Sequence, residues 1–484
     1  MIFNPENPDS ERGELMARKT SKKTSKRASK KSPKKPLRKN VSKKILRKPS
    51  KKLSKKTPKK ALKKPARKPP KRIIKKPLKR PTIKPSKKPS IKPAIKVMMK
   101  TAKKPLWIPT QDKIKNANIT RFIGFVNRRY SKNFKSYSDL YQWSIDRIPD
   151  FWAAMWDFAE IKASRKYDKV VEDLNKFPGT KWFPGARLNF AENLLRYRDD
   201  RLAFIFRGET QKSATMTYRE LYSTVARLAK SLREIGVVPG DRVIGYMPNL
   251  METVIAMLAA TSVGAVWSSC ATDIGALAAL DRLGQVEPKV LFTVDGYFYK
   301  GKAFSTLGNA AEVARGIPSL KKAVIVSYAG YKPDISAIPN AIHYDDFLAE
   351  EKDPPLHFEQ LPFDHPVFIM FSSGTTGKPK CMVQGAGGIL IHHLKELLLH
   401  TDLKREDKIF YITTCSWMMW NWLMSSLGVG ATVVLYDGNP NYPDAAAMWK
   451  LVQDEKITVF GLSASYINYL RGEGMEPGKM VDLS

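Results

Sequence analysis

Apolar residues recur at two different intervals between positions 107 and 484. Within 136–163 they fall at helical spacing, and Pro149 and Asp150 divide the run into two predicted helices. Thr217–Ile235 is an amphipathic pattern in which Glu220 follows the first residue by three positions. This spacing predicts a helix that begins with a capping box.

Short β-prone runs alternate with helical patterns along the same part of the chain. Two apolar helical segments, Leu250–Val263 and Gly275–Val286, separate the first three of these runs. Strands that alternate with helices of this length favour an α/β fold with mixed sheets flanked by helices. The predicted strands are Gly240–Pro248, Gly264–Ser269, Val290–Val294, Val367–Ser372, Ile409–Thr414, Thr432–Tyr436 and Ile457–Phe460.

The net charge of +40 is carried by one end of the 484-residue chain. Residues 15–104 contain 40 Lys and Arg residues and no Asp or Glu, with prolines spread from Pro33 to Pro93. Such a segment buries too little apolar surface to fold alone, and its prolines forbid a long helix. We expect a disordered basic tail at 1–104, a helical segment at 105–180 and a larger domain at 181–484.

The basic tail resembles the Lys/Pro-rich tails of linker histones in composition. A flexible polycation binds DNA or RNA by counterion release, without sequence preference and with steep salt dependence. Residues 15–104 contain no aromatic side chain, so base stacking is excluded. The hypotheses for this segment are non-specific DNA or RNA binding, binding to anionic lipid or acidic protein, and solvation without a dedicated partner.

Cysteine spacing and hydropathy disfavour a metal-binding, a membrane-spanning or a secreted protein. Cys270, Cys381 and Cys415 lack metal-ligand spacing and are odd in number, so we expect no metal site and a reducing compartment. The most apolar run, Val254–Trp267, is too short to cross a bilayer and predicts a buried helix. The N-terminus lacks the apolar region of a secretory signal. We expect a cytoplasmic protein, whose tail would allow association with a nucleoid or nucleus.

The segment Val367–Lys380, VFIMFSSGTTGKPK, is the most informative in the chain. An apolar strand runs into a hydroxyl-rich loop that is closed by two lysines. Its two glycines permit backbone angles that turn N–H groups toward an anion, and its lysines can neutralise phosphate charge. The spacing is not that of a Walker A loop, which has four residues between its glycines. We interpret the segment as a phosphate-binding loop, with a chance polar turn as the alternative.

SSGTTGKPK resembles the phosphate-binding signature of the adenylate-forming enzymes, which include the acyl-CoA synthetases. The resemblance covers nearly all of the chain after position 107 and narrows to the acetoacetyl-CoA synthetases. It implies the large N-terminal domain of that fold, present here in incomplete form. The further segments that carry it are Trp182–Leu195, Gly264–Gly275, Leu280–Tyr297, His393–Leu423 and Gly430–Gly438.

The resemblance implies an acid–thiol ligase that activates a carboxylate with ATP and passes the acyl group to CoA. In-line attack on the α-phosphorus requires that the carboxylate and ATP be positioned and that the phosphate charge be neutralised. The resemblance implies that Mg²⁺ would bridge the phosphates. The acid would be acetoacetate or a similar small acid, with acetate and propionate as alternatives.

The resemblance also assigns roles to individual residues. Trp417, Met418 and Met419 would line the acyl pocket, with ordinary core packing as the alternative. Lys302 would contact the phosphates of CoA, although an ordinary surface lysine fits its sequence context equally well. Catalytic roles would fall to Thr375 and Lys380. The residues implied to hold the phosphates of ATP are Ser372, Ser373, Gly374, Thr375, Thr376, Gly377, Lys378 and Lys380.

Several positions depart from the family pattern. Gln384 stands where His is usual, and Ser416 stands where Gly usually precedes WMMWN. Thr272 and Ile274 also differ from the common motif. Residues 380–484 contain neither the Thr-Glu pair nor the Thr-Gly-Asp segment with which the family holds adenine, ribose and magnesium.

The missing segments lead us to expect little activity from this chain alone. One alternative is a degenerate ligase that binds phosphate weakly. Another is a nucleic-acid-binding protein that acts through its tail and retains a relic ligase body.

Overall fold

The computed structural model describes residues 105, 107–210, 212–330, 332–372 and 377–484. The predicted disorder of the tail, and the hypotheses about its partners, fall outside these residues. The account below therefore concerns the part of the chain that follows the tail.

Helices precede the sheets in the described chain. Helix α3 begins at a capping box formed by Ser136 and Asp139. Pro149 lies in the first turn of α4, where its missing N–H is not needed. The two helices predicted within 136–163 are confirmed, with the break at Arg147 rather than at Pro149 and Asp150. The bounds are α1 (Gln111–Asn116), α2 (Asn118–Tyr130), α3 (Tyr137–Asp146) and α4 (Ile148–Phe158).

A seven-stranded sheet contains the strand that enters the phosphate-binding loop. Its order is β10-β9-β6-β4-β5-β12-β13, and all neighbours are parallel except the antiparallel pair β12 and β13. Parallel neighbours require crossover connections, which the intervening helices provide. The strands are β4 (Arg242–Tyr246), β5 (Val266–Cys270), β6 (Val290–Val294), β9 (Lys322–Val326), β10 (Ala341–His343), β12 (Pro366–Phe371) and β13 (Cys381–Gly385).

The helices between residues 190 and 400 include those predicted from the sequence. The capping box of α6 is present, because Thr217 and Glu220 exchange hydrogen bonds. The helices are α5 (Phe190–Leu194), α6 (Tyr218–Glu234), α7 (Met251–Ser262), α8 (Ala276–Leu283, extended by a 3₁₀ turn at Gly284–Val286), α9 (Leu307–Arg315), α10 (Tyr344–Phe347) and α11 (Ala386–Lys395, followed by a π turn at Glu396–His400).

A five-stranded sheet has the order β16-β14-β15-β2-β3, parallel except for β3. Small two-stranded elements are the hairpin of β7 and β8 and the pair of β1 and β11. The elements are β1 (Arg187–Leu188), β2 (Leu202–Gly208), β3 (Ser213–Thr217), β7 (Gly296–Tyr299), β8 (Lys302–Ser305), β11 (Leu361–Pro362), β14 (Lys408–Tyr411), α12 (Met418–Met424, followed by a 3₁₀ turn at Ser425–Gly428), β15 (Thr432–Asp437), α13 (Ala447–Glu455), β16 (Val459–Gly461), α14 (Ala464–Gly472) and α15 (Pro477–Met480).

The apolar run Val254–Trp267 forms a buried helix only in its first part. Every residue of α7 from Thr253 to Ser262 is buried, as expected for a helix with apolar residues on all sides. Gly264, with a φ of 81°, follows the end of this helix, and Val266 and Trp267 then enter β5. No described helix combines the length and apolarity needed to cross a bilayer. The predicted α/β architecture, with mixed sheets flanked by helices, is confirmed.

Candidate active site

The carboxyl ends of β4, β5 and β12 meet at one edge of the seven-stranded sheet. Trp267 of β5 pairs with Val243 of β4 on one side and with Phe368 of β12 on the other. The loops at this edge of a parallel sheet are the usual place for ligands in α/β folds. The loop that follows β12 is the predicted phosphate-binding loop.

Backbone geometry closes this loop at its base. Phe371 pairs with Cys381 across β12 and β13, and the N–H of Ser372 donates to the carbonyl oxygen of Lys380 at 3.0 Å. Gly377 has a φ of 152°, in a region that favours glycine. The predicted phosphate contacts of Ser373, Gly374, Thr375 and Thr376 fall outside the described residues and stay predictions.

Helix α8 and the turn after it contact the far side of the loop. The carboxamide Nε2–H of Gln285 donates to the carbonyl oxygen of Pro379 at 3.0 Å. The ammonium of Lys378 lies 3.7 Å from a carboxylate oxygen of Asp281. Lys380 is exposed and has no carboxylate within ion-pair distance in the described chain. Of the two lysines, Lys380 therefore has the charge that is more available to a phosphate.

The turn after β14 joins the two sheets. The hydroxyl of Ser269 donates to the carbonyl oxygen of Cys415 at 2.7 Å, and the N–H of Ala271 donates to the Oγ of Ser416 at 2.7 Å. The thiol of Cys415 donates to the carbonyl oxygen of Met247 at 3.0 Å. These bonds fix the segment that precedes Trp417 against the loops that follow β4 and β5.

The three residues assigned to the acyl pocket lie at the start of α12, directly after this turn. Trp417 and Met418 are 67% and 47% exposed, and Met419 is half-buried. Core packing, the alternative interpretation, is therefore wrong for Trp417 and Met418. The next residue, Trp420, is buried, and its indole N–H donates to Oδ1 of Asn249 at 2.9 Å. The buried and hydrogen-bonded Trp420 thus anchors the exposed Trp417 and Met418.

Lys302 lies on the β7–β8 hairpin, which follows β6. Its side chain is exposed, and at the hairpin tip the N–H of Gly301 donates to Oε1 of Glu209 at 2.7 Å. β6 is separated from β12 by β4 and β5, so the two strands lie roughly 14 Å apart. No contact between Lys302 and the described residues of the phosphate-binding loop is present, and the role of Lys302 stays a prediction.

The buried thiols beside the site do not ionise at neutral pH. Burial raises the pKa of Cys270 to about 12 and raises the pKa of Cys415 still further. A neutral thiol is a poor nucleophile. Cys415 therefore acts in this site through its hydrogen bond.

Gln384, which stands where the family usually has His, lies on β13 opposite Phe368. Its Oε1 is buried and has no hydrogen-bond partner in the described parts of the chain. Within those same parts, no group of three or more His, Cys, Asp or Glu side chains is placed to hold a metal ion.

The bonds of Ser269, Ala271 and Ser416 were not predicted from the sequence, and neither was the support from Gln285 and Asp281. The bonds from Ser269 and Ala271 to the turn after β14 join residues that are 146 and 145 positions apart in the sequence. Gln285 and Pro379 are 94 positions apart. Local spacing carries no signal for such contacts. Two features of the sequence pointed to this turn, namely the departure from Gly at Ser416 and the assignment of the three following residues to the acyl pocket.

Comparison with known families identifies the fold around this site. A family model described as "AMP-binding enzyme" matches residues 190–483, and one described as "Acetyl-coenzyme A synthetase N-terminus" matches residues 137–194. The chain belongs to the AMP-binding enzyme family. The resemblance stated from the SSGTTGKPK loop is therefore confirmed.

Similar members of this family share the described part of the chain. The acetoacetyl-CoA synthetase of Danio rerio is 46% identical over 389 residues, which make up 78% of this chain and 58% of that protein. The acetoacetyl-coenzyme A synthetase of Rhizobium meliloti (strain 1021) is 42% identical over 384 residues, or 79% of this chain and 59% of that protein.

A solved structure supports the same relationship. The acetoacetyl-CoA synthetase from Streptomyces lividans superposes with a TM-score of 0.74 at 42% identity, covering 79% of this chain and 58% of that one. The chain thus spans a little under three fifths of the length of the relatives that it matches. The fold of the AMP-binding enzymes is established for the part that is shared.

Proposed function

We propose that this protein is an acid–thiol ligase that activates acetoacetate, or a similar small acid, with ATP and transfers the acyl group to CoA. The observation that carries the proposal is the position of Ser372 and Lys380, the two ends of the phosphate-binding loop. The loop leaves the sheet beside β5, whose following residue, Ala271, is hydrogen-bonded to the Ser416 turn. Phosphate and acyl groups would therefore meet at one edge. The names of the similar proteins support acetoacetate as the acid.

The loop would position ATP for attack by the carboxylate of the acid. A carboxylate oxygen forms a bond to the α-phosphorus, pyrophosphate leaves, and the acyl-adenylate results. Backbone N–H groups and hydroxyls of Ser372–Thr376 would hold the phosphates, and the ammonium of Lys380 would neutralise charge on the departing oxygens. Thr375 would donate a further hydrogen bond. These roles suit chemistry that depends on positioning rather than on a protein nucleophile.

Trp417, Met418 and Met419 would receive the short carbon chain of the acid. Their exposure leaves apolar surface available to a substrate, and the anchored Trp420 holds the segment in place. An apolar surface beside a phosphate-binding loop suits a small acid whose carboxylate points at ATP. Acetate and propionate would leave part of this surface uncovered.

CoA would approach from the β7–β8 hairpin. Lys302 and the neighbouring Lys300 are exposed there, and either ammonium can contact a phosphate of CoA. The distance of roughly 14 Å between β6 and β12 suits an extended ligand whose thiol reaches the adenylate while its phosphates stay at the hairpin. The thiol sulfur then attacks the acyl carbon, and AMP leaves.

Mg²⁺ would be held mainly by the phosphates of ATP. Its chemistry would be to bridge phosphate oxygens and neutralise their charge. The hydroxyl-rich composition of the loop fits this arrangement, since hydroxyl and phosphate oxygens are ligands that Mg²⁺ accepts.

The basic tail supports a second activity, independent of ligation. We propose non-specific binding of DNA or RNA by residues 15–104, because 40 cations without an acidic residue would release counterions from a nucleic acid. A gel-shift titration of the full chain with duplex DNA should lose retention steeply as salt is raised. Salt-independent retention would contradict this electrostatic proposal.

ATP–pyrophosphate exchange by the full chain tests the proposed ligase, and we expect this exchange to be slow because residues 380–484 lack the family's adenine- and ribose-binding segments. Exchange should depend on acetoacetate and should disappear when Ser372–Lys380 is replaced by alanines. Equilibrium binding of ATP should disappear with it. A chain that binds no ATP and exchanges no pyrophosphate with acetoacetate, acetate or propionate would contradict the proposal.

A further inference from the structure

Ser416 places a hydroxyl directly before the apolar side chains of Trp417, Met418 and Met419. Its Oγ accepts the N–H of Ala271 at 2.7 Å. A serine hydroxyl has one proton and two lone pairs, so a bond accepted from a backbone N–H leaves the proton to be donated elsewhere. Within the described residues this proton has no acceptor.

The position of this hydroxyl is fixed relative to Ser372, where the phosphate-binding loop starts. Ala271 follows β5, Ser372 follows β12, and the hydroxyl of Ser268 donates to the carbonyl oxygen of Ile369 at 2.8 Å between the two strands. Neighbouring strands are about 4.8 Å apart. The Oγ of Ser416 therefore lies within roughly 8 Å of the strand position from which the loop starts.

We infer that Ser416 is a specificity-determining residue that donates a hydrogen bond to the ketone oxygen of a 3-oxo acid, an inference that rests on the proposed function. When the carboxylate of a short 3-oxo acid meets the phosphates of ATP, its ketone is only two carbons away, which suits the roughly 8 Å between the start of the loop and the Oγ of Ser416. The bond from Ala271 orients the hydroxyl before substrate arrives. A preformed donor costs less ordering when the substrate binds.

The same geometry discriminates against saturated acids of equal length. Butyrate replaces the ketone by a methylene group, so the proton of Ser416 would be desolvated without a partner. Sites built around a polar contact reject analogues that lack it, because the polar group of the protein is left unpaired. The apolar contacts with Trp417, Met418 and Met419 would be alike for both acids and contribute no discrimination.

Titration calorimetry on the full chain, with a non-hydrolysable ATP analogue present, tests this inference. The wild-type chain should bind acetoacetate about tenfold more tightly than butyrate. Ser416→Ala should bring the two dissociation constants within about twofold of each other, because it should weaken the binding of acetoacetate and leave the binding of butyrate unchanged. Ser416→Thr keeps a hydroxyl and should retain most of the preference. Ser138→Ala, on the exposed face of α3, is the matched control and should change neither constant.

Four other outcomes of this titration would overturn the inference, and they distinguish a failure of the Ser416 role from a failure of the proposed ligase. An unchanged preference in Ser416→Ala, or an equal weakening of both acids, would show that the hydroxyl serves only to hold Ala271. Equal binding of both acids by the wild-type chain would contradict the role of Ser416 and leave the proposed ligase intact. A wild-type chain that binds neither acid contradicts both proposals.

Discussion

The carboxylate of Glu209 ties the tip of the β7–β8 hairpin to the five-stranded sheet through the N–H of Gly301. The nitrogen of Gly301 lies 2.7 Å from Oε1 of Glu209, and Oε2 of the same carboxylate accepts a hydrogen bond from the N–H of Asn439 at 2.5 Å. Gly301 has a φ of 72° and sits against the ring of Tyr442, where a Cβ would meet the hydroxyl oxygen at 2.4 Å. The hairpin is therefore held by one side chain and by close packing.

Glu209→Ala should loosen this hairpin and weaken the binding of CoA. We expect faster amide hydrogen exchange at Gly301, and a dissociation constant for CoA raised about fivefold, because Lys302 would lose its fixed position. ATP binding should not change. Glu473→Ala removes an exposed carboxylate elsewhere and is the control. Unchanged exchange at Gly301 would show that Tyr442 alone holds the tip.

The two lysines of the phosphate-binding loop should differ in their effect on catalysis. Lys380→Ala should lower the rate of ATP–pyrophosphate exchange about a hundredfold, because the site loses an exposed ammonium that has no acidic partner among the described residues. Lys378→Ala should lower it about fivefold, since Asp281 already offsets part of that charge. Exchange rates at saturating acetoacetate measure both effects. Equal losses in the two variants would contradict the assignment of Lys380.

Continuous apolar runs predicted β4, β5, β6, β12, β14, β15 and β16, whereas β2 and β9 were not predicted although most of their residues are apolar and buried. The central strands β4, β5, β6 and β9 are buried along most of their length, so their apolar residues stand out from the sequence around them. The β7–β8 hairpin was not predicted, because its turn residues Lys300 and Gly301 lack the Asn-Gly or Asp-Gly signature. A turn of that kind depends on backbone angles that local composition does not reveal.

Helical spacing predicted α3 but not which of its faces is buried. Leu140 and Trp143 are buried, while Tyr137, Tyr141 and Ile145 are about half exposed. The buried face is decided by packing against α2 and α4, which a single helical period cannot specify. The same limit applies to the site, where long-range bonds such as that of Ser416 to Ala271 have no local signature.

Two adjacent glycines of α11 offer a matched test of packing. A Cβ at Gly387 would lie 2.1 Å from a ring carbon of Phe363, whereas a Cβ at Gly388 would meet no described atom within 4 Å. Phe363 is itself packed against Phe183, with ring centroids 4.8 Å apart, so it has little room to move.

Gly387→Ala should lower the free energy of unfolding by about 1–3 kcal/mol, because the ring of Phe363 must be displaced. Gly388→Ala should raise it by up to about 1 kcal/mol, since alanine is favoured over glycine within a helix. Urea unfolding at neutral pH measures both values. A stabilised Gly387→Ala variant would mean that this packing is looser than the distances indicate.

His393 makes the fold sensitive to acid. The imidazole is buried on α11, and its Nδ1 lies 2.9 Å from the Oγ of Ser425. Burial lowers its pKa to about 3, whereas the unfolded chain has a histidine pKa near 6.5. Below pH 6.5 the unfolded state therefore takes up a proton that the folded state does not. The stability contributed by neutral His393 is present above pH 6.5 and is lost as the pH falls toward 3.

His393→Asn removes this titration while keeping a polar group near Ser425. Between pH 7.5 and pH 5, the wild-type chain should lose about 2 kcal/mol of unfolding free energy that the variant does not lose. The variant will be less stable at pH 7.5, because asparagine fills less of the buried site, but this cost is independent of pH. His357→Asn, at an exposed histidine, should retain the wild-type slope. Urea unfolding at the two pH values gives the slopes, and parallel slopes for wild type and His393→Asn would rule out His393 as the origin of acid sensitivity.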